Sequence, residues 1–275
     1  MADSLAASTQ RTRTDGQPRK RGRSWTRRFL TTVCPAVAVV VLALLAWQAY
    51  VELADVRDVI LPPPTAVFSK LIHQWSVFQP ELLVTAKEAL QGLLIATVGG
   101  FLLGVAITSS RILRVTLYPL IITSQAIPII AIAPLLITWL GFGASSKIAV
   151  SALIAFFPVT VSTAAGLASL EAGAVSLMQS FPAGRLQIFV RARLPNALPQ
   201  IFSGLKVAAV LAVVGAVVGE WVGSDSGLGY LIVRQNALLA TDTVFACVVL
   251  LAGLGIAFVH TVVALEWLVL PWNRT

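Results

Sequence analysis

Six runs of mainly apolar residues divide this chain, at about 30–50, 89–108, 117–140, 147–169, 200–222 and 244–268. Each holds about the 20 residues that a helix needs to cross a bilayer. A backbone in lipid must also satisfy its own hydrogen bonds, which a helix does within one segment. The pattern therefore predicts an all-α, polytopic membrane protein with six transmembrane helices over residues 29–275. Residues 1–28 stand apart as a basic polar tail too poor in apolar side chains to fold, and are expected to be disordered. Between the first two spans, RDVILPPPTAVFSKLIHQWSVFQPELL is too polar to cross. Its Pro62, Pro63 and Pro64 hold the backbone extended. Thr65 to Trp75 has the pattern of an amphipathic helix on the outer surface.

Charge gives the spans a direction. Arg111 and Arg114 follow the second span, and Arg185, Arg191 and Arg193 follow the fourth. By contrast, Glu52, Asp55, Asp58 and Glu81 outnumber Arg57 and Lys70 after the first, and Glu220, Asp225 and Asp242 outnumber Arg234 after the fifth. Basic flanks mark the cytoplasmic side, so both termini and the loop 170–199 are expected there. The same rule accounts for the net charge of +8, since eight of the 20 Lys and Arg residues lie in the tail. Nucleic-acid binding is therefore not expected. Only 12% of the residues are charged, whereas a soluble domain carries about twice that share. The tail is too long, and the run after it too apolar, for a cleaved signal peptide; an organellar transit peptide stays open. Cys34 and Cys247 both fall inside spans and make neither a disulfide framework nor a metal set.

Within the spans, small residues recur every fourth position. Gly92, Ala96, Gly100 and Gly104 form one ridge, and Gly204, Ala208, Ala212 and Ala216 another. Such ridges let helices approach closely in lipid, within the chain or against a partner subunit. The third span carries Pro119, Pro128 and Pro134, and the fourth Pro158. Helices broken by proline tend to line cavities. Ser124, Gln125, Thr138 and Ser162 lie near these prolines and are candidate pathway residues. Hydroxyls there can instead bond back to the preceding turn; the amide of Gln125 needs more partners than one turn offers. Glu220, near the outer end of the fifth span, is a further candidate. A structural role and a place on a water-filled vestibule are both open for it. Lys206 is expected to snorkel to the cytoplasmic interface. No GxxxxGK[ST] phosphate loop, HExxH or paired metal-ligand motif occurs. The chain is thus expected to be no enzyme, with no catalytic residue, metal or cofactor of its own.

The longest polar interruption, LEAGAVSLMQSFPAGRLQIFVRARLPNALP, separates the fourth and fifth spans. Long loops between spans usually act outside the membrane. This one resembles the cytoplasmic loop of bacterial ABC-importer permeases, whose pattern is EAA, three residues, Gly, nine residues, I-x-L-P. Counting back from Leu194-Pro195 puts EAA on Ser176, Leu177 and Met178, the Gly on Pro182 and the Ile on Ala192, so the chain departs from the pattern at these positions. Further similarity runs through LPPPTAV at 61–67, QAIPIIAIAPLLITWLGFG at 125–143, SKIAVSALIAFFPV at 146–159 and GAVVGEWVGSDSGLGYLI at 215–232. It resembles most the branch with nitrate, sulfonate, taurine, pyrimidine-precursor and riboflavin permeases.

The resemblance implies a type I importer permease fold in the bacterial inner membrane. It implies a second permease copy, two cytoplasmic ATP-binding subunits that carry ATP and Mg, and an extracytoplasmic solute-binding protein. The coupling loop would grip the ATPase through Ser176, Leu177, Met178, Phe181, Pro182, Gly184, Arg185, Leu194 and Pro195. The wording SLMQSF followed by RLQ leans toward pyrimidine-precursor or riboflavin-like heterocycles; nitrate, taurine or aliphatic sulfonate is the alternative cargo. An ion-coupled carrier would need charged residues deep in several spans, and an integral-membrane enzyme a cluster of His, Asp or Glu.

Overall fold

A computed structural model describes residues 25–170 and 184–273, and between them Gly173, Met178 and Ser180. The chain divides into two compact units, Met1–Tyr50 and Val51–Thr275. The first is described from Trp25 onward as most of helix α1 (Trp25–Leu53), which carries the apolar stretch Val37–Leu53. The second unit opens with a short helix, α2 (Pro64–His73), entered through Pro63 in the extended region. Proline suits the first position of a helix, where its missing N–H has no intrahelical partner to lose.

Three long helices build the core: α3 (Trp75–Ser109), α6 (Ala144–Ala168) and α8 (Leu194–Gly223). Both small-residue ridges face α6, inside this chain. A Cβ on Gly92 would overlap the Ser151 side chain, and one on Gly104 would lie 2.6 Å from Cβ of Thr163. From the other side, a Cβ on Gly204 would overlap Ser162, and one on Gly215 would sit 2.6 Å from Cα of Ser151. Helix α6 is thus clamped between α3 and α8, with Ala96, Ala155, Val159, Ala208 and Ala212 buried in the seam. Ser151 adds a bond across it, donating from Oγ to the Ala212 carbonyl at 2.8 Å. Close packing and such bonds associate helices in lipid, where burial from water contributes nothing.

The remaining elements hang on this clamp. Helix α3 starts well before the expected second span, because its polar first turns find partners inside the protein. The expected third span is two helices, α4 (Arg111–Ser124) and α5 (Ile129–Leu140), bent by 100°. Pro128 causes the break: it has no N–H to give the preceding turn, and its ring pushes Ile127 out of helical geometry. Pro119, Pro134 and Pro158 stay inside continuous helices. On the far side of the loop, α7 (Arg185–Ile188) passes through a π turn at Phe189–Arg193 straight into α8. The wider turn accommodates Pro195, which cannot donate to the ordinary carbonyl four residues back. A short helix α9 (Leu228–Ala237) and the long α10 (Thr241–Val269) complete the unit. Among the described residues, α3, α6, the run Leu186–Gly223 and α10 are each long and apolar enough to cross a membrane, and the bent pair has the form of a broken span or a re-entrant loop.

Candidate functional site

The broken span is thinly covered by the rest of the second unit. Helix α4 buries none of its residues, and α5 buries only Ala133 and Ile137. Gln125 lies at the break, exposed, as the C-cap of α4. Beside it Ser124 donates from Oγ to the Ile121 carbonyl at 2.8 Å, and on α5 Thr138 donates to the Pro134 carbonyl at 2.9 Å. These two hydroxyls are held by their own helices, while the Gln125 amide faces outward. Ser162 is elsewhere, half-buried against Gly204 in the α6–α8 seam.

Glu220 is buried, at 1% exposure, in a polar network the sequence does not reveal. Its carboxylate accepts from Oγ1 of Thr85 at 2.7 Å and from the Gly229 amide at 2.5 Å. The Leu228 amide donates to Thr85 Oγ1 at 2.9 Å, and the Gly227 amide to Glu81 Oε2 at 2.5 Å. Three successive N–H groups at the start of α9 are therefore capped by side chains from α3 and α8. These are the groups a helix leaves unpaired at its N-terminus. Gly227 is required here, for it has φ +105° and any Cβ would run into the Glu220 carboxyl. One turn along α3, Glu88 meets Lys147 of α6 with Oε1 and Nζ 3.5 Å apart, their side chains 5% and 4% exposed. Both sit at the nominal ends of apolar runs, where a sequence reading assigns them to water. The arrangement is an anchor: acceptors face amides and one cation faces a carboxylate, and no group is poised to attack a substrate.

A second, less deeply buried pair joins two further spans. Lys206 on α8 reaches Glu266 on α10 at 2.5 Å, rather than snorkelling away from the protein. Polar contacts between membrane helices are worth about 0.5–2 kcal/mol. Lys206→Met is therefore expected to lower the unfolding temperature of the purified chain measurably. Lys206→Met with Glu266→Met should restore it; equal stability of the single variant and the wild type would count against the pair.

Of the predicted coupling loop, Ser176, Leu177, Phe181 and Pro182 lie outside the described residues. Met178 is helical and half-buried, and Gly184 is exposed, with its N–H bonded to Gln187 Oε1 at 3.3 Å. Arg185 opens α7, and Arg191 is exposed on the π turn. Leu194 packs on Leu167, Ala197 and Ile201, while Asn196 Nδ2 donates to Ser169 Oγ at 3.0 Å. Leu194 and Asn196 thus tie the start of α8 to the end of α6.

Residues 96–268, which run from the second half of α3 through the broken span, the loop and Glu220 to α10, match the family described as the inner membrane component of binding-protein-dependent transport systems. The chain belongs to that family. As an ABC-importer permease it is non-catalytic, and ATP hydrolysis resides on a separate subunit. Over 216 residues it is 37% identical to the formylaminopyrimidine transport permease protein ThiX of Halalkalibacterium halodurans, covering 78% of this permease and 86% of that relative. It is 34% identical over 236 residues to the riboflavin transport system permease protein RibX of Chloroflexus aurantiacus, covering 85% and 88%. In three dimensions it is similar to a chain of the MetNI methionine ABC transporter in inward-facing conformations, with TM-score 0.56, 19% identity, and coverage of 70% of this chain and 97% of that one. That likeness shows an importer-permease fold.

Proposed function

We propose that this permease lines the path of a small heterocycle of the pyrimidine-precursor or riboflavin class, with α4 and α5 of two copies enclosing it. The observation that carries the reading is the 100° break at Pro128, which leaves α4 without a buried residue and Gln125 exposed. Lipid can cover the apolar side chains of α4, but an amide exposed in a span is costly there, and a partner subunit or a solute can satisfy it. The similarity to the pyrimidine and riboflavin permeases supports the substrate class, and the loop wording SLMQSF with RLQ points the same way. Both termini and the loop 170–199 face the cytosol, where two ATP-hydrolysing subunits grip the loop at Met178 and the arginines 185, 191 and 193 rim the contact. A solute-binding protein delivers cargo to the other face. ATP binding to the motor draws the two elbows together and tilts the broken spans outward; it can bias that equilibrium only through its different affinity for the two states.

Gln125→Leu is expected to reduce uptake at least several-fold while leaving assembly with the ATPase and membrane insertion intact. Unchanged uptake would remove Gln125 from the pathway. For the substrate class, the cognate solute-binding protein should bind riboflavin or an aminopyrimidine and ignore taurine and nitrate. Selective binding of taurine or nitrate would overturn the heterocycle assignment.

A further inference from the structure

Helix α2 divides its surface into three sectors instead of the usual two. At about 100° per residue, Val67 and Leu71 share one sector with the buried Pro64, and they pack on Phe78, Leu228, Leu231, Ala246 and Cys247. Phe68 and Ile72 occupy the neighbouring sector and are uncovered, Ile72 at 75% exposure. The remaining sector is polar: Ser69 and His73 bond to each other, and Lys70 pairs with Asp242 at 3.0 Å. A helix wholly in water has no use for the middle sector, and one packed against protein on both sides would bury it.

Other features fix the level at which α2 sits. Asp242 is in the first turn of α10, and Trp75 begins α3 just after α2 ends, so α2 is held at the ends of two spans. Next to the same point, Thr241 donates from Oγ1 to the Val59 carbonyl at 2.6 Å. That bond brings the segment carrying exposed Val59 and Ile60 to the α9–α10 turn carrying exposed Leu238 and Leu239. Leu239 has φ +56°, a conformation rare for leucine. The strained turn holds two large aliphatic side chains outward. Exposed Trp75 lies close to Phe68 and Ile72 along the chain, and aromatic residues concentrate where hydrocarbon meets water.

We propose that α2 is an interfacial helix set into one leaflet, with Phe68, Ile72, Leu238 and Leu239 among the acyl chains and the Ser69–His73 sector in water. The occupant is lipid rather than a docking protein. The uncovered residues of the middle sector and of the α9–α10 turn, Phe68, Ile72, Leu238 and Leu239, are all aliphatic or aromatic, the nearby cation Lys70 is already paired, and α3, which follows α2, exposes Leu83, Leu90 and Leu94. A reversible protein contact would be about as polar as the rest of the surface. The apolar face of such a helix lies only about 5–10 Å into the headgroup region.

The test uses the full chain in phosphatidylcholine–phosphatidylglycerol nanodiscs, in a Cys34→Ala, Cys247→Ala background. Single cysteines from Phe68→Cys, Ile72→Cys, Leu239→Cys and His73→Cys carry a bimane fluorophore. Bimane at positions 68, 72 and 239 should be quenched several-fold more by lipid brominated near the headgroup than by aqueous iodide, and position 73 the reverse. Lipid brominated at the chain ends should quench all four weakly. Iodide quenching at 72 and 239 equal to that at 73 would overturn the proposal. So would a disulfide formed between two copies of the unlabelled Ile72→Cys variant, which would make this face a subunit contact. The sites at 72 and 239 lie on separate elements, so misfolding caused by one label leaves the other to decide.

Discussion

Lys147→Met is expected to destabilise the permease by about 3–5 kcal/mol, because it leaves a buried carboxylate without its counter-charge. The Glu88 and Lys147 side chains are 5% and 4% exposed, so water screens neither. Oε2 of Glu88 has no hydrogen-bond partner among the described residues, and the lysine is what offsets the burial of that carboxylate. Glu88→Gln should also destabilise, since it leaves the buried Lys147 ammonium without its counter-charge. The double variant Lys147→Met, Glu88→Met should recover most of the loss, as buried ion pairs are often replaceable by apolar residues of similar volume. The measurement is the fraction of monodisperse protein left after heating, read by size exclusion. A single variant as stable as wild type would contradict the account, and so would a double variant no better than the single.

Met178→Asp is expected to abolish co-purification with the ATP-hydrolysing subunit and to bring uptake down to background, while the chain still inserts in the membrane. Helix-in-groove contacts depend on apolar anchors, and a carboxylate in such a groove must be desolvated without a partner. Met178 is half-buried in this chain, leaving part of its surface for the motor. Undiminished recovery of the ATPase subunit would remove Met178 from the contact.

These two expectations differ in how far the sequence foretold them. The loop was legible as a length of polar chain between spans, with arginines on one side and an L-P pair at its end. The ion pair was not. Glu88 and Lys147 each stand at the edge of an apolar run, where hydropathy alone places a charge in water; that they face each other follows only once α3 and α6 are packed. The ridges on α3 and α8 were readable from the four-residue period, but a period identifies a face and not what covers it. Both ridges turn out to cover α6, which carries Ser151, Ser162 and Thr163 at the contacts. Three prolines, Pro119, Pro128 and Pro134, marked the third span as one to be broken, but only Pro128 stands at the break, while Pro119 and Pro134 stay inside α4 and α5.

Glu220 is the most instructive residue. Its sequence position left open whether it lined a vestibule or held the fold, and in the structure it caps the Gly229 amide of α9 and accepts from Thr85. The acid and base groups a carrier would need are present in the membrane region, at Glu88, Lys147 and Glu220. They are engaged in fastening α3, α6, α8 and α9 to one another. Charged groups deep in spans therefore do not by themselves imply ion coupling.

The most direct test of an ATP-driven permease is uptake in cells that express this chain with its ATPase subunit and its solute-binding protein, using the solute that the binding protein retains. Uptake should vanish when the phosphate-loop lysine of the ATPase is replaced by alanine, and should persist when the proton and sodium gradients are collapsed. Uptake that survives loss of the ATPase and disappears with an ion gradient would contradict the account.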